Sequence, residues 1–259
     1  MKKQVIRANQ LIEILHKNQM ITIRELASLL NVSEMTIRRD LELLKDMGAA
    51  VNMHGAVIYA NPELLKIDNE EYSLIRAGST HVKEKERIGI YGASLIEPGD
   101  CIILDNGTTT EYIADYVPVD LRATILSSNL NIISKICNKP NLTLMFGGGY
   151  FHADTYMFES PESISLIKRT RASKVFVSAA GVHDSLGVTC ANNYELATKQ
   201  AILESGAEKI LVLDSSKFGL VKPCYFADIT DFDKIITDKS LPDYWVNYIA
   251  DKGISLVML

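Results

Sequence analysis

Apolar residues in the first 59 positions recur at intervals of three and four. Ile6, Leu11, Ile12, Ile14 and Leu15 fall at helical spacing between residues 5 and 18. Thr22 followed three residues later by Glu25 is a capping box, and Leu26, Leu29 and Leu30 continue from it on one face. Asn31-Val32-Ser33 reads as a tight turn ending in a second N-cap. A helix from about residue 34 to 47 then buries Ile37, Leu41 and Leu44, with Gly48 placed to stop it. Two short helices, a turn of three residues and a third helix form a helix-turn-helix. Residues 50–52 and 57–59 flank His54-Gly55 as a hairpin, the wing of a winged helix.

The rest of the chain has a different rhythm. Short continuous apolar runs at 101–104, 124–127, 142–146, 175–178, 210–213, 234–237 and 254–258 predict strands. Helical stretches near 83–96, 109–116, 129–137, 161–168, 193–205 and 242–250 precede or separate them. Strand and helix alternating, with strands apolar throughout, predict an α/β domain with a mostly parallel sheet. Residues 60–84 are polar and broken by Asn61-Pro62 and Gly78-Ser79-Thr80. The predicted organisation is a DNA-binding winged helix-turn-helix domain over 1–59, a linker over 60–84 and a larger α/β domain over 85–259.

Composition narrows the class. The chain has 259 residues, 47% apolar and 23% charged, which excludes disorder as the dominant state. No apolar run approaches the roughly 20 residues needed to span a bilayer, and Met1-Lys2-Lys3 leads into polar residues with no secretory apolar region, so the expected location is cytoplasmic, without a membrane. The four cysteines, 101, 137, 190 and 224, include no CxxC pair, so free thiols are expected, with no metal and no cofactor. Residues 1–57 carry eight Lys/Arg against six Asp/Glu, a balance of +2, and the remainder carries 19 against 26, a balance of −7. A slightly basic head on an acidic body suggests two jobs.

Candidate chemistry sits in two places. The start of the third helix carries Ser33 as its cap, then Thr36, Arg38 and Arg39, in position to enter a major groove of double-stranded DNA. Asp40 reads as an intradomain partner, since phosphate would repel it. Spacing alone also fits a helical subdomain whose arginines are merely solvated. In the body, ligands of a parallel sheet bind beyond the carboxyl ends of the strands. There stand Asp105 with Gly107, Thr108, Thr109 and Thr110 at a helix start, a suitable phosphate cradle. Ser127, Gly148 within a triple glycine, Glu195 and Lys199 at i, i+4, and Asp214 with Lys217 complete the set. Each has a bland alternative: N-caps, a turn, a surface ion pair worth a few tenths of a kcal/mol. Their convergence on one rim favours a binding site for a small phosphorylated, hydroxylated ligand. Neither GxxxxGK[ST] nor GxGxxG occurs, which disfavours a nucleotide.

The run Val32-Ser33-Glu34-Met35-Thr36-Ile37-Arg38-Arg39-Asp40-Leu41 resembles the signature of the DeoR-type family of bacterial sugar-operon repressors. Asn52 and Met53 depart from it, standing where the family commonly carries a basic residue before the wing's His-Gly pair. Residues 105–110, 127–131, 147–149, 195–199 and 214–219 resemble the family's sensor domain. The resemblance implies operator DNA as partner, a phosphorylated sugar effector at the rim and a sensor fold like that of ribose-phosphate isomerase. Residues 33–41, 148–149 with 151–153, 178–183 with 189–190, and 216–219 with 221–223 look closer to members governing deoxyribonucleoside catabolism, which implies deoxyribose 5-phosphate. The competing function is a sugar-phosphate isomerase-like enzyme using Glu195, Asp214 and Lys217 as proton carriers, but an attached DNA-reading head calls for a sensor. So small a head needs pairing to hold an operator, so a homo-oligomer is expected.

Overall fold

The computed structural model describes residues 11, 14, 20–46, 50–53, 56–59 and 74–259. The chain divides into two compact units, Met1–Lys66 and Ile67–Leu259. The expected stop at Gly48, the turn at His54-Gly55 and most of the helix over 5–18 lie outside the described residues.

In the first unit, strand β1 (Met20–Thr22) leads into helix α1 (Ile23–Leu29), and α2 (Glu34–Asp46) follows after four residues. Thr22 caps α1 reciprocally: its Oγ1 accepts from the Glu25 amide at 3.2 Å, and Glu25 Oε2 accepts from the Thr22 amide at 2.9 Å. Leu11, Ile23, Leu26, Ala27, Ile37 and Leu41 make the small core. Leu29, placed by spacing on the buried face, is exposed, because Leu26 and Ala27 occupy the inner face of so short a helix. Strands β2 (Ala50–Met53) and β3 (Ala56–Tyr59) pair antiparallel as the predicted hairpin, and β1 pairs with the far side of β3. The result is a three-stranded sheet beside a helix-turn-helix.

In the second unit, helices α3 (Leu74–Ser79) and α4 (Val82–Ser94) come first, both within the stretch read as linker or its edge. A seven-stranded sheet follows. Its strands are β4 (Cys101–Leu104), β5 (Ala123–Ser127), β6 (Leu142–Met145), β9 (Ala172–Val177), β12 (Gly206–Val212), β14 (Lys234–Thr237) and β15 (Ser255–Met258), in the order β15-β14-β12-β9-β4-β5-β6. Every neighbouring pair is parallel. Both faces are buried, as parallel sheets require. Ile103, Leu126, Val175, Val177 and Leu211 pack on one side, and Ile102, Leu104, Ile125, Phe176 and Ile210 on the other. The alternation along each strand is the two-residue period of a pleat.

Helices α5 (Thr108–Tyr116), α6 (Leu130–Ile136), α7 (Pro161–Arg169), α8 (Leu196–Ser205) and α9 (Asp243–Asp251) connect the strands. Two further features, both antiparallel, were not anticipated from the sequence. These are the hairpin of β7 (Tyr150–His152) with β8 (Met157–Glu159), and an antiparallel sheet of β10 (Gly181–His183), β11 (Gly187–Cys190) and β13 (Cys224–Ala227). From β4 the chain winds outward through β5 and β6, then returns to the other side of β4 as β9. The winding direction therefore reverses between β4 and β9, and a crevice opens beyond the carboxyl ends of those two strands.

Helices α4 and α5 cross closely over Gly89 and Gly92. A Cβ at Gly89 would lie 2.3 Å from the Tyr112 Cβ and 2.8 Å from the Tyr112 carbonyl carbon. Gly89→Ala is expected to cost roughly 1–3 kcal/mol through forced separation of the helices. Thermal unfolding checks it, and an unchanged midpoint would contradict the close crossing.

Candidate functional site

At the start of α2, the Ser33 hydroxyl accepts from the Thr36 amide at 3.2 Å and lies 2.9 Å from the Thr36 hydroxyl. Thr36 is thus half-buried and engaged with its own cap. Ile37 and Leu41 face the core, which turns Arg38 and Arg39 outward, both exposed. Arg38 reaches Glu34 at 3.7 Å, an exposed pair worth little and easily exchanged for phosphate. Asp40 is buried, off the outward face. Met35, at the same helix start, is exposed.

The crevice between β4 and β9 holds a small pocket that opens to solvent. Its walls include residues 106–109 after β4, 178–180 after β9, Glu195 and Lys199, Leu213, Asp214 and Lys217, and Ala77 and Lys85 from the helices before the sheet. Lys199 is buried, with Nζ 2.5 Å from Asp105 Oδ2 and 3.0 Å from the Ser178 carbonyl oxygen, to which it donates. Glu195 lies one turn away at 4.0 Å. Burial alone would lower the Lys199 pKa, but the Asp105 and Glu195 carboxylates outweigh it and hold the ammonium above the ordinary lysine range. Glu195 Oε2 accepts from Asn106 Nδ2 at 2.9 Å, and Oε1 accepts from the Asn192 amide at 3.1 Å.

Three buried acceptors here have no hydrogen-bond partner: Asp105 Oδ1, Asn106 Oδ1 and Asp214 Oδ2. Helix α5 opens at Gly107 without a side-chain cap. Its first amides therefore remain available to an anion. Gly107 is required by contact: a Cβ there would stand 2.3 Å from Ser178 Oγ. Lys85, also buried, has its pKa lowered mainly by burial, against the pull of Asp214 and with a further push from Lys217.

Among the sequence-predicted residues, Gly107, Thr108, Thr109, Glu195, Lys199, Asp214 and Lys217 line this pocket, and Asp105 stands behind Lys199. Thr110 is fully buried, its hydroxyl donating to the Asp105 and Gly107 carbonyl oxygens, and so is turned from the pocket. Ser127 and Gly148 do not line it. The Ser127 hydroxyl accepts from the Asn129 amide, and the Gly148 carbonyl accepts from Ser160 at the edge beyond β6.

Residues 7–63 match the DeoR-like helix-turn-helix domain, and residues 80–239 match the DeoR C-terminal sensor domain. The chain belongs to the DeoR family. It is 33% identical over 251 residues to the deoxyribose operon repressor of Escherichia coli strain K12, covering 97% of both chains. It is 27% identical to the HTH-type transcriptional regulator IolR of Bacillus subtilis strain 168, covering 98% of both. Among solved structures, ribose 5-phosphate isomerase A of Methanocaldococcus jannaschii superposes with a TM-score of 0.40 at 12% identity, over 55% of this chain and 56% of that one.

As a DeoR-family protein it is a transcriptional repressor that reads DNA through a helix-turn-helix, not an enzyme. Among the described residues no helix is long and apolar enough to cross a membrane. The pocket also uses residues that sequence reasoning passed over. Lys85 lies within Val82-Lys83-Glu84-Lys85-Glu86-Arg87, which reads as a solvated charge run. Asn106 and Ser178 sit inside noted strand ends, and Cys190 is a buried thiol whose pKa burial raises.

Proposed function

We propose that this protein represses a carbohydrate or nucleoside catabolic operon from the cytoplasm, and that a phosphorylated sugar bound in the β4–β9 crevice controls its grip on operator DNA. The observation that carries the reading is the pairing of unspent groups at one place. Orphaned acceptors on the pocket residues Asn106 and Asp214 suit sugar hydroxyls, and the uncapped start of α5, with Lys217 on the same wall, suits a phosphate. Residues 107–109 take the phosphate, Asn106 and Asp214 take hydroxyls, and Asp105 acts from behind the lining through Lys199. Glu195 and Lys199 hold Asn106 and Asp105 in place. Deoxyribose 5-phosphate is the effector we propose, in keeping with the relative named as the deoxyribose operon repressor. On the DNA, Arg38 and Arg39 contact the operator, and Ser33 and Thr36 set the start of their helix. Two or more copies act together, since a single small head gains affinity through effective concentration.

Calorimetry with paired sugars, each with and without its phosphate, tests the assignment. The phosphorylated member of the right pair binds roughly tenfold or more tighter, the value of a charge-assisted contact. Equal affinity for both members of every pair would remove the phosphate from the pocket.

A further inference from the structure

Helix α3 is the first described element of the sensor unit and has only six residues. A helix this short does not hold itself in water, so its position depends on a few contacts. At its start, Leu74 is buried and its amide donates to the Asp154 carbonyl oxygen at 2.8 Å. At its end, the carbonyl oxygens of Ala77 and Thr80 both accept from Lys85 Nζ, the second at 2.7 Å. Lys85 is 1% exposed and lines the pocket together with Ala77.

An ammonium has three donors. Two of those on Lys85 are spent on the end of α3. Asp214 Oδ2 is 3.9 Å away, beyond hydrogen-bond distance, and is itself a buried acceptor without a partner. The third donor is therefore left at the pocket wall between α3 and Asp214.

We propose that Lys85 couples the pocket to α3: an anion bound in the crevice takes the remaining donor of the ammonium and fastens the end of α3, so that occupancy is registered in the segment through which the chain enters the sensor. The effector then acts on α3 by ordering it, with a coupling free energy shared between ligand and helix. This rests on the reading that the pocket holds a sugar phosphate. Lys85 is a positioning residue here, acting on the backbone of α3.

Hydrogen exchange of the full-length protein, followed by mass spectrometry with and without 2-deoxyribose 5-phosphate, tests it. In the free protein, Lys85→Met is expected to speed exchange across residues 74–80 by roughly tenfold, the loss of a charge-assisted bond, and Lys85→Arg to restore part of it. Ligand slows the same segment in the wild type and not in Lys85→Met. Exchange across the seven-stranded sheet reports whether the variant folds. Equal exchange at 74–80 in wild type and Lys85→Met would overturn the proposal, as would an equal effect of ligand on both. If the variant does not fold, the wild type decides: binding seen by calorimetry with no slowing at 74–80 overturns it. Absence of any heat with sugar phosphates is a separate failure, of the pocket reading itself, and the release of α3 in ligand-free Lys85→Met remains its own test of the tether.

Discussion

Lys199→Met is expected to destabilise the protein by about 3–5 kcal/mol, because it leaves the carboxylate of Asp105 buried and unpaired. Lys199 and Asp105 are each about 1% exposed or less, 2.5 Å apart, with Glu195 one helical turn away. At that depth bulk solvent does not reach the carboxylate to replace the ammonium. Urea unfolding followed by circular dichroism measures the loss, and a change of less than about 1 kcal/mol would show that the pair is not the buried network described. Converting both partners, with Lys199→Met and Asp105→Leu together, is expected to recover part of the stability, because it removes the unpaired Asp105 carboxylate while Glu195 still loses the ammonium one turn away. The pH dependence has a definite sign. The folded-state pKa of Lys199 lies above the ordinary 10.5, so its contribution is complete below that value and is lost only as pH climbs through the raised one. Near neutrality, stability should be flat with respect to this group.

Operator affinity is expected to fall by roughly 5- to 150-fold for Arg38→Ala or Arg39→Ala, corresponding to 1–3 kcal/mol for a lost base contact. Both side chains leave the outward face of α2 while Ile37 and Leu41 anchor the inward face, so truncation removes contacts without opening the core. The two kinds of contact separate by their signatures. An arginine on phosphate weakens binding at every sequence and lowers the salt slope by about one, whereas an arginine on a base edge relaxes preference at a single position. Fluorescence anisotropy against operator and mutated operators, at several salt concentrations, makes the distinction. Unchanged affinity in both variants would remove α2 from the groove.

The capping box at Thr22 and Glu25 and the cap at Ser33 were legible because each is set by two residues at fixed spacing. The seven parallel strands were legible because a short, continuous apolar run bounded by turn residues can bury both its faces only inside a covered sheet. Part of the pocket lining was legible in the strand ends at 107–109 and at Asp214, whereas the triple glycine after β6 lies away from it. Side-chain direction was not legible. Thr110 looks like part of a phosphate cradle in sequence, yet its hydroxyl satisfies two carbonyls of its own turn. Glu195 and Lys199 have the spacing of a surface pair, and are buried because β4 and its following loop close over that face of α8. Lys85 was hidden for the opposite reason. Its neighbours Lys83 and Arg87 are exposed, and its burial depends on contacts distant in sequence or across a turn, with Asp214 and with the Ala77 and Thr80 carbonyls.

The reversal of strand order beside β4 has a consequence for how such proteins diversify. The lining of the crevice comes mainly from turns and helix starts, not from the interior of the sheet. Those turns can be rewritten to admit a different metabolite without disturbing the hydrophobic layers that sustain folding. Divergence in what is sensed can therefore proceed by small local edits, and a designer wishing to retune this chain to a new ligand would begin there and leave the scaffold alone.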